Sequence, residues 1–513
     1  MQTFYITTAI DYVNSRPHLG TAYEKITADV IARYKRLAGV PTWFLMGNDE
    51  HSLNVLRRAK EQGLDPLAYC DRMEQEFREV WQQLNVSFDD FVRTTEERHR
   101  VGVTELVTRI RAAGDIYESH YEGWYCVSCE AFKQEKDLVD GLGPTHKTKP
   151  EWIREKNHFF RLSKYQEPLL RHFEAHPEFL EPEVRRNEIV SLIRGGLEDI
   201  SISRETLTWG VPVPWDENQV IYVWVDALIN YLSALTYARP GEDLLARYWP
   251  AQVHFLAKDI LKFHAAIWPA LLMSAGYELP GGELIHGYLL MGGEKMSKTR
   301  GNVLDPFAVM DQYGIDPLRF YLFREVTFGL DGVISLEGFE QRYNNELANE
   351  LGNLVSRTVS MIGKYRGGKV PVADPAAVSL SGLADEGGAM VADAGARFDA
   401  WEITGALEVV WEYVRRLNRF VEEEAPWKLA KDEAQAGRLD EVLLGLAGGL
   451  RLVALTLCPV VPATAVEILR RLGQPYEAAD LAWERARWDA VAGAAAVDQA
   501  APLFPRRDGA VRA

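Results

Sequence analysis

Two short segments of the chain combine residue types that phosphate chemistry needs. The first is Pro17-His18-Leu19-Gly20, between a strand-like and a helix-like segment. A histidine there can reach a phosphate, while the free N–H groups of a first helical turn favour an anion. Gly20 would let a nucleotide approach the backbone closely. By itself, this H-x-G pattern is more often an ordinary turn histidine.

The second segment is the run Lys295-Met296-Ser297-Lys298, which has glycines on both sides. Two lysines three residues apart in such a setting form a positively charged loop. This loop can fold over a triphosphate and neutralise the charge that develops on departing pyrophosphate. The alternative is a solvated surface loop, since lysine and serine are common in such loops.

Hydrophobic patterning indicates how the fold would position the two segments. β-Branched and aromatic residues 4–10 predict a buried strand, residues 22–37 an amphipathic helix, and residues 42–46 a second strand. Such a βαβ unit begins a doubly wound parallel sheet of the Rossmann type, in the α/β class. Further strands are predicted at residues 220–224, 253–256 and 284–288.

The middle and the end of the chain depart from this pattern. Clustered aromatic residues, turns and a polar stretch follow residue 115 and indicate an insertion that splits the nucleotide-binding domain. Beyond residue 340, heptad-like apolar spacing predicts an α-helical bundle with glycine- and alanine-rich connectors such as residues 379–395. The predicted helices are residues 347–362, 406–421 and 442–457, and the predicted domains are residues 1–114, 115–215, 216–340 and 341–513.

Composition limits the classes of function. No stretch reaches the roughly 18–20 apolar residues of a membrane helix, and the N-terminus lacks a targeting pattern, so we expect a cytoplasmic protein. The formal net charge of −17 lowers the expectation of a nucleic-acid partner, although an acidic protein can carry a local basic groove. Cys126 and Cys129 form a C-x-x-C pair, which in a cytosolic chain suggests metal or redox chemistry before a disulfide.

The order of the two segments resembles that of the class I aminoacyl-tRNA synthetases. In that family a H-x-G turn after the first strand and a K-M-S-K loop much later in the chain bind ATP and stabilise the transition state. The resemblance implies catalytic roles for His18, Thr21, Lys295 and Lys298. It implies ATP contacts from these four residues and from Gly20, Met296 and Ser297.

Within this family the chain resembles the methionyl-tRNA synthetases along essentially its whole length. The resemblance lies in residues 9–14, 47–51, 222–231 and 258–264. It implies that Asp49 holds the substrate ammonium and that Tyr231 or His264 donates a hydrogen bond to the substrate sulfur. The methionine-binding residues would be Ala9, Ile10, Tyr12, Asp49, Trp224, Leu228, Tyr231, Ile260 and His264. An aromatic-lined pocket suits a polarizable thioether, whereas each of these residues alone is more often ordinary core.

The resemblance implies a methionine–tRNA ligase. Such an enzyme forms methionyl-adenylate and pyrophosphate from methionine and ATP, with Mg²⁺ expected on the phosphates. It then esterifies the 3′-terminal adenosine of tRNA(Met), including the initiator tRNA, for protein synthesis. We expect a monomer without membrane association.

At the helical end, Asn353 and Arg357 lie four residues apart, hence on one helical face. With Trp427 they resemble the family's anticodon-binding residues, since splayed bases are read by stacking and edge hydrogen bonds. Helix capping and helix packing are the ordinary roles of such residues. Basic residues that could form a local groove are Lys364, Arg366, Lys369, Arg415, Arg416 and Arg419.

The chain departs from the family pattern at three places. Thr21 replaces the second histidine of H-x-G-H, so adenylate formation is expected to be slower. Asn48 and Ser52 flank the Asp-Glu-His segment in place of the usual threonine and glycine. The predicted metal ligands are Cys126, Cys129 and His146, but Gly143 occupies the place of the third cysteine, which leaves Zn²⁺ binding open.

These departures keep two alternatives open. One is a diverged paralogue that activates methionine outside translation, or an inhibitor-resistant duplicate. The other is a tRNA-binding or regulatory protein that has lost activation, and the intact Lys295 and Lys298 count against it.

Overall fold

The computed structural model describes most of the chain. The described residues are 3–126, 131–133, 138, 141–142, 149–237, 241–291, 306–372, 382–474, 481–488 and 495–506. They form two compact units, one of Met1–Ala28 with Thr42–His286 and the other of Asp29–Pro41 with Gly287–Ala513. Within the described ranges, no helix is both long and apolar enough to cross a bilayer.

The first unit is an α/β structure with strands β1 to β14, helices α2 to α10 and the first part of α1, whose residues 29–37 belong to the second unit. The strands are β1 Phe4–Thr8, β2 Asp11–Tyr12, β3 Thr42–Asp49, β4 Asp90–Arg93, β5 Ile116–Cys126, β6 Ala131–Lys133, β7 Glu151–Phe160, β8 Leu180–Glu181, β9 Ile200–Ser201, β10 Ser203–Arg204, β11 Pro212–Val213, β12 Asp216–Ile221, β13 Val253–Ala257 and β14 Glu283–His286. The helices are α1 Leu19–Leu37, α2 Leu53–Glu61, α3 Pro66–Gln83, α4 Glu97–Ala112, α5 Gln166–Ala175, α6 Glu183–Arg194, α7 Val223–Leu228, α8 Asn230–Tyr237, α9 Leu244–Tyr248 and α10 Trp268–Ala275.

A seven-stranded parallel sheet is the centre of this unit. Its order is β2-β3-β1-β13-β14-β8, and β4 also pairs with β3. Every residue of β1 and β3 is buried, as expected for strands that are covered on both faces. On one face, Leu256 and Ile285 of the sheet share an apolar core with Val107 of α4 and Leu235 of α8. A buried parallel sheet holds the ends of its strands firmly, so side chains at those ends are well positioned.

Two smaller antiparallel sheets accompany it. One has the order β6-β5-β7-β9, and the other has the order β10-β12-β11. The predicted strand at residues 220–224 is wrong in its second half, because β12 ends at Ile221 and α7 begins at Val223. Tyr222 is the extended N-cap between them, with φ −61° and ψ 131°. This strand also pairs antiparallel and lies outside the parallel sheet.

The second unit is largely helical. Its elements are β15 Leu289–Met291, α11 Pro306–Tyr313, α12 Ile315–Glu325, β16 Gly332–Ile334, α13 Leu336–Arg342, α14 Asn353–Arg366, α15 Leu383–Asp399, α16 Ile403–Glu424, α17 Pro426–Leu429, α18 Ala436–Leu457 and α19 Pro462–Arg471. A π-helix, Tyr343–Gly352, joins α13 to α14. The predicted connector at residues 379–395 is wrong for its larger part, because residues 383–399 form α15, with buried Leu383, Met390, Ala394 and Phe398 on one face.

A buried ion pair connects elements of the second unit that are far apart in sequence. Arg319 Nη2 lies 2.6 Å from Asp29 Oδ2, and both side chains are fully buried. The Arg319 guanidinium also donates to the carbonyl oxygen of Val460 at 2.7 Å. The pair therefore joins the middle of α1, α12 and the segment before α19.

Candidate active site

The candidate site lies at the carboxyl edge of the parallel sheet in the first unit. The strands β1, β3, β13 and β14 all end at this edge because they run in the same direction. Residues that follow β1 include Tyr12 and His18, and β3 ends at Asp49. In open parallel sheets this edge is where ligands bind.

The H-x-G turn begins helix α1. The main-chain N–H of Ala22 donates to His18 O at 2.9 Å, and the N–H of Thr21 donates to His18 Nδ1 at 3.2 Å. A Cβ atom on Gly20 would lie 3.1 Å from His18 Cε1, so glycine lets the imidazole fold over the first turn. Partial desolvation lowers the pKa of the His18 imidazole, which favours its neutral form. The turn thus presents an imidazole beside the first turn of a helix.

An aromatic pocket forms beside β2. The Trp224 and Phe263 rings stack in parallel, with centroids 3.9 Å apart and planes at 8°. The Tyr12 ring meets Trp224 edge-on at 6.1 Å. Phe263 begins a π-helical turn, Phe263–Ile267, a distortion that often marks functional sites. The prediction did not include Phe263 among the pocket residues, although it stands next to His264 in the sequence.

Two further residues predicted to bind methionine, Tyr231 and His264, form a hydrogen-bonded pair. His264 Nδ1 lies 3.1 Å from the carbonyl oxygen of Ile260, which can only accept, so Nδ1 carries the proton. Burial lowers the pKa of His264 to about 4, so the ring is neutral and its Nε2 accepts from the Tyr231 hydroxyl at 2.8 Å. The Tyr231 proton is thereby directed at His264. The backbone carbonyl of Tyr231 in turn accepts from the Tyr5 hydroxyl at 2.8 Å.

Asp49 is the last residue of β3, and only 3 % of it is exposed. Tyr12 is its register partner on β2, so the predicted ammonium-binding carboxylate lies next to an aromatic residue of the pocket. The strands approach closely at Gly47, where a Cβ atom would lie 2.2 Å from Val92 O and 2.9 Å from Ile10 Cγ2. Only glycine fits at this position, so Gly47 determines how near Ile10 lies to the end of β3.

Comparisons with known proteins identify the family of the chain. The model of the family described as tRNA synthetases class I (M) matches residues 4–148 and 134–359. The chain belongs to the class I tRNA synthetases (M). It is 42 % identical to the methionine–tRNA ligase of Caldanaerobacter subterraneus subsp. tengcongensis, over 99 % of this chain and 79 % of the relative. It is also 42 % identical to that of Streptomyces coelicolor, over 98 % and 97 % of the two chains.

Solved structures also match the chain to the methionyl-tRNA synthetases. The methionyl-tRNA synthetase of Mycobacterium tuberculosis in complex with methionyl-adenylate superposes with a TM-score of 0.91 at 42 % identity, over 99 % of this chain and 100 % of that chain. The predictions of the family, the α/β fold class with its helical C-terminal region, and an ATP-dependent methionine–tRNA ligase are therefore confirmed.

A buried polar chain of this class I site was not predicted from the sequence. His51 Nδ1 lies 2.6 Å from Asp226 Oδ2, and Asp226 Oδ1 lies 3.0 Å from His99 Nε2. His99 Nδ1 continues the chain to Ser233 Oγ at 2.8 Å. Burial alone would raise the pKa of Asp226, but the two histidines outweigh it and lower that pKa to about 2. The chain fixes the orientation of His51, two residues beyond Asp49.

Several predicted residues cannot be placed. Lys295, Met296, Ser297 and Lys298 lie outside the described residues, as do Cys129, Gly143 and His146. Cys126 ends β5, where it pairs with Ala131 of β6.

In the second unit, two of the three predicted anticodon residues come together. The Arg357 guanidinium lies 6.0 Å from the Trp427 ring centroid, and Arg357 Nη2 is 2.7 Å from Glu422 Oε1. Asn353 begins α14 and is exposed. A cleft of about 330 Å³ lies beside them, lined by Arg357, Asn418, Arg419, Glu422 and Glu423.

Acidic neighbours accompany several of the predicted basic residues. Arg366 bonds to Asp440, and Arg416 Nε lies 2.9 Å from Glu386 Oε2. Arg415 is 3.9 Å from Glu350. Any basic groove on this unit would therefore have to form with these acidic partners nearby.

Proposed function

We propose that this protein activates L-methionine with ATP and transfers it to tRNA(Met) for cytoplasmic protein synthesis. The observation that carries the proposal is the position of the buried Asp49 beside the aromatic pocket of Tyr12, Trp224 and Phe263. A carboxylate suits the substrate ammonium, and polarizable rings suit a thioether. The H-x-G turn lies at the same edge of the sheet, where an ATP phosphate would bind.

In the first step, a methionine carboxylate oxygen attacks the α-phosphorus of ATP. A phosphorus–oxygen bond forms to the carboxylate, and the bond to pyrophosphate breaks. His18 and the first turn of α1 would hold the phosphates, while Asp49 would fix the ammonium. Lys295 and Lys298 are proposed to neutralise the leaving pyrophosphate. Mg²⁺ bound to the ATP phosphates would supply further charge neutralisation.

Positioning dominates this chemistry, since no covalent intermediate with the protein is needed. Trp224 and Phe263 form a flat wall, and the Tyr231–His264 pair closes the base of the pocket. The wall would exclude water from the reacting carboxylate. In the second step, the 2′-hydroxyl of the terminal adenosine attacks the adenylate carbonyl carbon, and AMP leaves.

The cleft beside Arg357 and Trp427 supports a proposal for tRNA selection. Trp427 is half-buried and its ring faces a guanidinium, so an unstacked base has both an aromatic and a planar cationic surface nearby. Asn353 would add amide hydrogen bonds to a base edge. We propose that these three residues read the anticodon of tRNA(Met).

We also propose a zinc site in the insertion that follows residue 115. Cys126 is the last residue of β5, and Cys129 follows it in the C-x-x-C spacing of zinc ligands. The proposed ligands Cys126, Cys129 and His146 number three, whereas a structural zinc site normally has four protein ligands. Metal analysis of the purified protein tests the site, and about one equivalent of zinc would support it.

Charging of tRNA tests the whole proposal. Purified protein is incubated with ATP, labelled methionine and transcripts of elongator or initiator tRNA(Met), with a tRNA of another anticodon as the control. We expect methionine to be esterified to both methionine tRNAs and not to the control. Absence of charging in the presence of adenylate formation would contradict the tRNA assignment.

A further inference from the structure

Lys25 is a fully buried cation that the proposed mechanism does not use. It lies on α1, four residues after Thr21, and its side chain has 0 % exposure. Its ammonium has three acceptors for its three protons: Ala9 O at 2.6 Å, Glu24 Oε1 at 2.8 Å and Asp11 Oδ1 at 3.1 Å. A buried ammonium is costly unless it is satisfied in this way.

Two of the acceptors connect α1 to the segment that follows β1 and includes β2. Ala9 and Asp11 belong to that segment, which continues into Tyr12 and so leads to the aromatic pocket. Asp11 and Tyr12 are neighbours on a strand, so their side chains leave opposite faces. The Asp11 side chain meets Lys25, while the Tyr12 ring meets Trp224. Lys25 therefore contacts the Ala9–Tyr12 segment on the side opposite the Tyr12 ring.

Glu24 extends the same cluster to a third strand. Its Oε2 lies 3.2 Å from His286 Nε2, and His286 is the last residue of β14. The His286 ring stacks on Phe255 of β13, at 5.4 Å and 13°. Burial alone would raise the pKa of Glu24, but Lys25 and His286 outweigh it and lower that pKa to about 2. The start of α1 is thus held to the segment after β1, to the first residue of β2 and to the carboxyl end of β14.

We propose that Lys25 is a positioning residue for methionine activation. Its ammonium holds the Ala9–Tyr12 segment, which bears the amino-acid pocket, in register with the helix start that bears His18. This inference rests on the proposed function, because it concerns the relative placement of the two substrates. Misplacement by about 1 Å can lower the rate of such a reaction by roughly 100-fold.

The test compares two variants of the full chain with wild-type protein. Lys25→Met keeps the length of the side chain and removes its charge. The double variant Asp11→Asn/Lys25→Met also removes one of the buried carboxylates that Lys25 balances, so it is expected to fold better than the single variant. Lys164→Met is the control for the loss of a lysine–aspartate pair elsewhere in the same unit, because Lys164, with its side chain 55 % exposed, lies 2.6 Å from buried Asp115.

Methionine-dependent ATP–pyrophosphate exchange is measured for each folded variant, with kcat and the KM for methionine determined separately. We expect kcat/KM for methionine to fall about 10-fold to 100-fold in both Lys25 variants, chiefly through kcat, and to stay within about twofold in Lys164→Met. Lys25→Arg, which keeps a cation, should recover part of the loss.

Three results would overturn the inference. An unchanged kcat/KM in a folded Lys25 variant would show that the cluster only stabilises the fold. Failure of both Lys25 variants to fold, with Lys164→Met folded, would lead to the same conclusion. A loss in Lys164→Met as large as that in the Lys25 variants would show a general effect of losing such a pair. If wild-type protein shows no methionine-dependent exchange, the proposed function fails instead, and that outcome is distinct from all three.

Discussion

The Tyr231 hydroxyl donates a 2.8 Å hydrogen bond to His264 Nε2, between two residues of the predicted methionine site. This bond requires a neutral imidazole, because a protonated ring has no acceptor nitrogen. Burial provides that neutrality by lowering the pKa of His264 to about 4. The hydrogen bond between Tyr231 and His264 thus depends on the histidine staying uncharged.

Acid should therefore destabilise the protein through His264. An unfolded histidine titrates near pH 6.5 and the folded one near pH 4, so in this window the unfolded chain binds a proton that the folded chain does not. The stabilising contribution is complete above about pH 6.5 and is lost as pH falls toward 4, at about 1.4 kcal/mol per pH unit. Equilibrium unfolding at several pH values measures this slope.

The variant His264→Gln isolates this contribution. Between pH 6.5 and 4, its unfolding free energy should depend less on pH than that of the wild type. The slopes should differ by up to about 1.4 kcal/mol per pH unit, because the variant lacks the one proton that His264 binds on unfolding. An equal slope in both proteins would show that the acid sensitivity comes from other groups.

Asp49→Asn should weaken methionine use and leave the fold intact. The amide keeps the size of the side chain but cannot balance an ammonium, and breaking a buried charged contact costs about 2–5 kcal/mol. We expect kcat/KM for methionine to fall by about 100-fold or more, mostly through KM, with little change in melting temperature. Asp65→Asn is the matched control, because an exposed N-cap functions with either residue. A wild-type KM in Asp49→Asn would exclude Asp49 as the ammonium partner.

Glu283→Met should stabilise the protein. Glu283 is fully buried, and in the described part of the chain neither of its carboxylate oxygens has a hydrogen-bond partner. Burial raises the pKa of Glu283 well above 4.5, so folding retains a proton that the unfolded chain has released. The loss of folding free energy caused by burying Glu283 grows as pH rises above 4.5, at up to about 1.4 kcal/mol per pH unit.

The gain in Glu283→Met should therefore be larger at pH 8 than at pH 5, in thermal or urea unfolding. Glu217→Met, on the exposed part of β12, should change little. A variant less stable than wild type at pH 8 would show that the Glu283 carboxyl makes a favourable contact.

Trp427→Ala should separate the two steps of the reaction. Loss of a stacked base costs about 1–3 kcal/mol, so charging of tRNA(Met) should fall by about 10-fold to 100-fold. Methionine-dependent exchange should stay within about twofold, and Trp427→Phe should retain most of the charging. Parallel losses in exchange and charging would indicate misfolding rather than a role in tRNA binding.

The sequence predicted the parallel strands and the long helices well, because these have strong periodic patterns. The strand predicted at residues 220–224 was wrong in its second half, since a short apolar run does not distinguish a strand from a buried helix start. Residues 383–399 form α15 although glycine and alanine are common there. Its buried face, with Met390 and Phe398, outweighs the weak propensity of glycine.

In the site, segments with a family pattern were recognised, whereas buried polar partners were not. Lys25 stands in a segment that was predicted as an amphipathic helix, and Asp226 follows a predicted strand, and in both places a charged residue is normally expected to face water. Their partners Ala9 and His99 come from other elements, so only the folded arrangement reveals that these charges are enclosed and satisfied. Phe263 was missed for a different reason, because an aromatic residue beside His264 could equally have been core.

ATP–pyrophosphate exchange with each of the twenty amino acids tests the central claim most directly. The pocket of Tyr12, Trp224, Phe263 and Tyr231 with Asp49 predicts exchange that methionine drives, with leucine and isoleucine far weaker. Exchange driven by another amino acid, or no exchange with any of them, would contradict it.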